Sequence, residues 1–82
     1  MKYYMVKVHW KGKVIEIEAS NIRDLLKCLR KCYPELQDLI RPSGDPSPLL
    51  LVFVNSRELS VLEDSKLRGD EEIDLIPVLH RG

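Results

Sequence analysis

Cysteine is scarce in this chain: Cys28 and Cys32 are the only two, and they stand four residues apart. So few, so close together, cannot form a disulfide framework, and the fold is expected to rest on an apolar core in a reducing compartment. An excess of either charge is missing too, since thirteen Lys and Arg balance thirteen Asp and Glu. A nucleic-acid binder gathers a basic excess on one face, so no nucleic-acid partner is expected. No apolar run is long enough to span a bilayer and no basic-then-apolar leader opens the chain. A soluble, cytoplasmic protein without a membrane partner follows as the expectation. His9 and His80 are the only imidazoles. One is placed on an outer strand face and the other near the C-terminus, so with the cysteines they assemble no tetrahedral metal site. No Ser/His/Asp set, no carboxylate pair in a cleft and no phosphate-cradling glycine loop can be picked out. No catalytic, metal or cofactor site of the chain's own is therefore expected from these residues.

What is present suffices for one small domain with a modest core, at 82 residues. Residues 3–10 alternate, with Tyr4, Val6, Val8 and Trp10 on one side and Tyr3, Met5, Lys7 and His9 on the other. Residues 14–19 alternate as well, and Lys11-Gly12 between them has the chemistry of a two-residue hairpin turn, the glycine taking the positive φ. That turn sets Val8 opposite Ile15, Val6 opposite Ile17 and Lys7 opposite Glu16. Glu16 and Glu18 are then solvated cross-strand partners rather than acid–base groups.

Ser20 or Asn21 is placed to cap a helix, and Asp24 in its first turn complements the macrodipole. Ile22, Leu25, Leu29, Cys32 and Leu36 repeat at spacings of three and four, predicting an apolar stripe that buries Cys32 and half-buries Cys28. Arg23, Lys27, Arg30 and Lys31 take the wet side. Pro34 ends the helix near Lys31 to Tyr33, with a further turn or two before Ile40. Residues 41–48, with three prolines and a glycine, are predicted to be a mobile loop. Residues 49–54 form an apolar run whose β-branched content favours a strand. Residues 57–59 can return as a short one. Arg68-Gly69-Asp70-Glu71 turns the chain into a last alternating strand, with Ile73 and Leu75 on one face and Asp74 and Ile76 on the other. Pro77 lacks a backbone N–H, so that strand is expected to lose its partner there and leave the sheet. Gly82, without a Cβ, would end a thin tail in a nearly bare carboxylate.

The order β-β-α-β-(short β)-β predicts an α+β fold, a mixed four- to five-stranded sheet with one main helix packed across one face. The order, together with certain segments, resembles the ubiquitin-like β-grasp sulfur carriers of the MoaD/ThiS type. These include the small subunit of molybdopterin synthase, the thiamine sulfur carrier and the ubiquitin-related modifier. The matching residues are Tyr33-Pro34-Glu35-Leu36, Leu51-Val52-Phe53-Val54-Asn55, Arg57-Glu58, Leu62-Glu63-Asp64-Ser65-Lys66-Leu67 and Asp70-Glu71-Glu72-Ile73-Asp74-Leu75-Ile76-Pro77-Val78.

The resemblance implies a β-grasp domain over residues 1–76 and a flexible tail over residues 77–82. It implies that the carboxylate of Gly82 is adenylated by an E1-like enzyme that binds the ATP. The resulting thiocarboxylate would pass sulfur to an accepting synthase subunit, with molybdopterin or tungsten-pterin assembly as the leading pathway and thiamine or thiolated tRNA as others. Leu79, His80 and Arg81 would lie in the partner's channel, and Met5, Phe53 and Ile76 would come together as a docking patch. Two departures stand out. The family ends in Gly-Gly where this chain has Arg81-Gly82, which implies a block to adenylation, a partner with a wider or acidic channel, or a fold kept without the carrier role. Ser56 follows Asn55 where the family has glycine, which suggests a turn of another type. A β-grasp interaction module without carrier chemistry and a modifier joined to lysines through Gly82 remain open alternatives.

Overall fold

The structure is a computed structural model and describes residues 2–59 and 66–78. Strands β1 (Tyr4–Trp10) and β2 (Lys13–Ala19) form the expected antiparallel hairpin, with Val8 opposite Ile15, Val6 opposite Ile17 and Lys7 opposite Glu16. The turn between them departs from expectation in one respect: Lys11 (φ 48°) joins Gly12 (φ 76°) at positive φ. Two successive positive values make a type I′ turn, whose twist matches that of the strands it joins.

Helix α1 (Ile22–Cys32) begins at Asn21, whose Oδ1 accepts the Asp24 N–H at 2.8 Å. Ile22, Leu25, Leu26 and Leu29 are its buried residues. The Tyr33 N–H closes the last turn on the Leu29 carbonyl at 2.9 Å, and Pro34 opens a short 3₁₀ helix (Pro34–Leu36) that turns Leu36 into the core. This break corrects the predicted stripe. Leu36, not Cys32, continues the apolar face, because after Tyr33 the chain no longer follows the helix axis. Cys28 and Cys32 are both exposed.

The 41–48 segment is held at several points. The Arg41 N–H reaches the Asp45 carbonyl and the Ser47 N–H the Leu39 carbonyl, both at 2.8 Å. Arg23 Nη2 on the helix pairs with Asp45 Oδ1 at 3.0 Å.

Strands β3 (Leu50–Val54), β4 (Arg57–Glu58) and β5 (Glu72–Pro77) complete a five-stranded sheet in the order β2-β1-β5-β3-β4. β5 runs parallel to β1 and antiparallel to β3. The β3–β4 turn is also of the I′ kind, since Asn55 (φ 51°) and Ser56 (φ 69°) both take positive φ. Serine thus adopts the conformation that glycine would hold more easily, and the turn type expected to change is retained.

One face of the sheet packs against α1 and the 3₁₀ helix. Val6, Val8, Trp10, Leu50, Val52, Ile73 and Leu75 meet Ile22, Leu25, Leu26, Leu29, Leu36 and Ile40 in a single core. Trp10 is fully buried and its Nε1–H donates to Glu35 Oε1 at 2.9 Å, giving the polar end of the indole a partner. Among the described residues no helix is long and apolar enough to cross a membrane.

Candidate functional site: the open sheet face and the exit of the last strand

β5 occupies the middle of the sheet, and the way it is aimed decides where the residues after it leave. Its start is fixed by Glu71, a nearly buried carboxylate that accepts the Arg68 N–H at 2.8 Å and the Gly69 N–H at 2.9 Å. Two charge-assisted hydrogen bonds from successive amides hold the turn that delivers the chain into the strand. Asn55 clamps the same end, its Oδ1 accepting the Glu72 N–H and its own N–H donating to the Glu72 carbonyl, both at 2.9 Å.

The far end of β5 differs from expectation. Pro77 pairs with Leu50, and the Val78 N–H still donates to the Leu49 carbonyl at 2.8 Å. The strand therefore keeps β3 through Val78 instead of leaving at the proline. The physical reason is the alternation of backbone groups. Val78 and Ile76 direct their N–H groups towards β3, so the nitrogen of Pro77 faces the β1 side. β1 has already ended there, its last partner being Leu75 opposite Trp10. Among the described residues no strand takes up that side, so the missing donor costs the ladder nothing.

The helix leaves the other sheet face uncovered. Register places Val14, His9, Asp74, Phe53 and Glu58 in one row across all five strands. Leu51 and Ile76 are paired in the next row towards the exit of β5. Phe53 and Leu51 are half-buried, while Ile76 is 45% exposed. The Val78–Leu49 hydrogen bond carries the same parity one step further, and Leu49 is exposed as well. Leu49, Leu51, Phe53, Ile76 and Val78 thus form an apolar strip that widens towards the exit of β5. Leu49 and Val78 were not singled out in the sequence, although their period-two relation to Leu51 and Ile76 was there to be read.

Met5 does not belong to this strip. The parallel register sets Lys7 beside Glu72, so Met5 lies level with Asp70, and the two share a shallow cleft with Gly69 and Glu71. Six residues of strand separate that level from Ile76, or about 20 Å. The expected meeting of Met5 with Phe53 and Ile76 is therefore corrected. The strands are neighbours as expected but the register is not, since for a parallel pair no turn in the sequence fixes it.

The Met5 end of the face is charged. Glu18 stands opposite Met5, Glu16 opposite Lys7, and His9 Nε2 lies 4.0 Å from Glu72 Oε1. Such exposed pairs contribute little to stability. Leu79, His80, Arg81 and Gly82, the remaining residues assigned a role from the sequence, lie outside the described residues. Among the described residues no group of three or more His, Cys, Asp or Glu side chains could hold a metal ion.

No family model and no curated protein matches the sequence. Among solved structures, SAMP1 from Haloferax volcanii superposes with a TM-score of 0.68 at 17% identity, over 98% of this chain and 99% of that one. Agreement over both whole chains at so low an identity is agreement in fold. With its hairpin, its single helix and a central last strand parallel to the first, the chain has the ubiquitin-like β-grasp fold.

Proposed function

We propose that this protein is a ubiquitin-like sulfur carrier, a passenger of other enzymes rather than an enzyme itself. Its Gly82 carboxylate is adenylated by an E1-like enzyme that binds ATP, and is then converted to a thiocarboxylate that gives its sulfur to an accepting synthase subunit. The pathway we favour is assembly of the molybdopterin or tungsten-pterin cofactor. The observation that supports the proposal is the relation between strip and exit. The apolar strip on the open sheet face runs along β3 and β5 to Val78, the last described residue, four positions before Gly82.

That relation suits a carried substrate. A few tail residues bury too little surface for specific docking, and a stable interface uses about 800 Å² from each partner. Phe53 and Ile76, with Leu51 and Leu49 beside them, are the anchor residues, and contiguous exposed apolar surface of this kind marks interaction sites. Leu79, His80 and Arg81 enter the partner's channel ahead of Gly82. Penultimate arginine requires a channel wide enough for its side chain and acidic enough to pair with it.

The fold likeness to SAMP1, a ubiquitin-like small archaeal modifier protein, favours a second use of the same carboxylate. In that case the activated Gly82 is joined to lysines of other proteins. Intact-mass analysis of the protein recovered from its native cell separates the two. Exchange of one oxygen for sulfur at the C-terminus is the expected result for a carrier, and isopeptide-linked adducts are the result for a modifier. An unmodified carboxylate after incubation with ATP and the host's E1-like enzyme would sink both and leave a β-grasp interaction module.

A further inference from the structure

Free cysteine is among the residue types most often buried, yet both cysteines of this chain are exposed, and both lie on one helix. They are four residues apart on α1, and residues at that spacing face the same way with Cβ atoms about 5–6 Å apart. Cys28 borders a shallow cleft between α1 and the start of the sheet, lined also by Tyr3, Glu18, Asp24, Lys27 and Lys31. This face looks away from the core, and Tyr3 and Glu18 at its margin belong to the charged end of the open sheet face, away from the exit of β5. From this placement we infer that Cys28 and Cys32 form a two-thiolate chelate for a soft, monovalent d¹⁰ cation such as Cu(I).

The geometry decides which metal. Two metal–sulfur bonds of about 2.3 Å placed end to end span about 4.6 Å. That length is a little under the Cβ separation of about 5–6 Å in an i, i+4 pair, so two side chains inclined toward each other bring both sulfurs to one ion without bending the helix. Among the described residues no third or fourth His, Cys, Asp or Glu joins them. Zinc, which takes four tetrahedral ligands in stable sites, would be left with half its ligands. A soft monovalent cation accepts two thiolates and prefers them to nitrogen or oxygen donors. The electrostatics agree. On coordination each thiol releases its proton to solvent and no electrons move, so two thiolates and one monovalent cation leave a single negative charge. Lys27 and Lys31, each next in sequence to one of the cysteines and lining the Cys28 cleft, supply the compensating positive charge.

The test uses the full-length reduced protein, titrated anaerobically with Cu(I) in the presence of a competing chelator. One ion per chain is expected, read as a single adduct by native mass spectrometry and as a sulfur-to-metal charge-transfer band. The bound ion should shield both thiols from alkylation. Cys28→Ser and Cys32→Ser should each weaken binding by at least 100-fold, and Zn(II) at equal concentration should not displace the copper. The decisive control keeps two exposed thiols but turns them apart. Cys28→Ser combined with Lys27→Cys sets the sulfurs five residues and about 140° apart around the helix, and it should bind no better than either single variant. Lys27→Ala with both cysteines in place should keep most of the affinity, which separates the loss of geometry from the loss of a charge. Two ions per chain, dimers bridged through one thiol from each copy, or a control that matches the unaltered protein would each overturn the chelate. None of these outcomes depends on the chemistry proposed for Gly82.

Discussion

Glu35 shows at the scale of a single residue how a surface side chain secures the core. Its two oxygens are divided between Trp10 Nε1 at 2.9 Å and Lys11 Nζ at 3.3 Å, and the same Lys11 ammonium lies 5.2 Å from the centre of the Trp10 ring. The hydrogen bond from the indole, then that from Lys11, holds the Glu35 carboxyl below its ordinary 4.5. A carboxyl that is more acidic folded than unfolded stabilises the fold fully above the unfolded value. That contribution is lost as pH falls through the folded one. Stability to urea should therefore decline as pH drops below about 4.5, and Glu35→Gln should flatten this decline while lowering stability at pH 7. Because Trp10 is the sole tryptophan, its fluorescence reports both effects directly. A Glu35→Gln protein with an unchanged pH profile would remove Glu35 from this role. A second residue-scale contrast checks the corrected helix stripe. Leu29, fully buried, should cost about 2–5 kcal/mol as alanine. Cys32, exposed at the last helical position, should stay within about 0.5 kcal/mol as alanine, measured by the same denaturation.

At the scale of elements, local chemistry made some pieces of this fold legible and left others hidden. The β1–β2 hairpin could be read down to its register because a two-residue turn, Lys11-Gly12, leaves the strands no other pairing that buries Val6 and Val8 together. The helix start could be read to within one residue, Ser20 or Asn21 ahead of Asp24, and the hydrogen bond from the Asp24 N–H to Asn21 Oδ1 makes Asn21 the cap. The helix end could not be read so closely, since the stripe through Cys32 assumed one straight axis, and only the Tyr33–Pro34 break shows why Leu36 inherits the buried position. Pro77 misled for a related reason: a proline removes a donor, but only tertiary neighbours say whether anything was waiting for it. The β3–β4 turn is the most instructive case, because its sequence Asn55-Ser56 argued against the geometry it adopts. A non-glycine residue in the left-handed region costs about 1–2 kcal/mol, part of which glycine returns as extra chain entropy. Ser56→Gly is thus expected to stabilise the protein by about 0.5–1 kcal/mol, seen as a higher denaturation midpoint with an unchanged slope. A loss of stability would mean that the Ser56 side chain holds the turn by a contact worth more than its strain.

At the scale of the whole molecule, the candidate site was legible by strand and not by level. Phe53 and Ile76 could be assigned to the open face from period-two alternation alone. Their shared distance from Met5 depends on the Lys7–Glu72 register of a parallel pair, which no turn or other local signal in the sequence fixes. The correction changes what a partner has to cover. If docking is confined to the apolar strip, the footprint follows β3 and β5 to Val78, and the charged end around Met5, Glu18 and Glu72 stays in solvent. Ile76→Asp, which puts a charge in the centre of the strip, should then slow adenylation of Gly82 by an E1-like partner at least tenfold. Met5→Asp, about 20 Å away on the same face, should change it by less than threefold. Both positions are exposed, at 45% and 54%, so neither substitution should disturb the fold, and circular dichroism with an unfolding midpoint checks this. Equal losses from the two variants would extend the interface over the whole face, including Glu16, Glu18 and Glu72. In that case binding should weaken steeply with salt, because exposed charges more than about 10 Å apart are screened at 0.1 M ionic strength. Docking through the apolar strip predicts the opposite, an Ile76→Asp defect that stays the same from low to high salt.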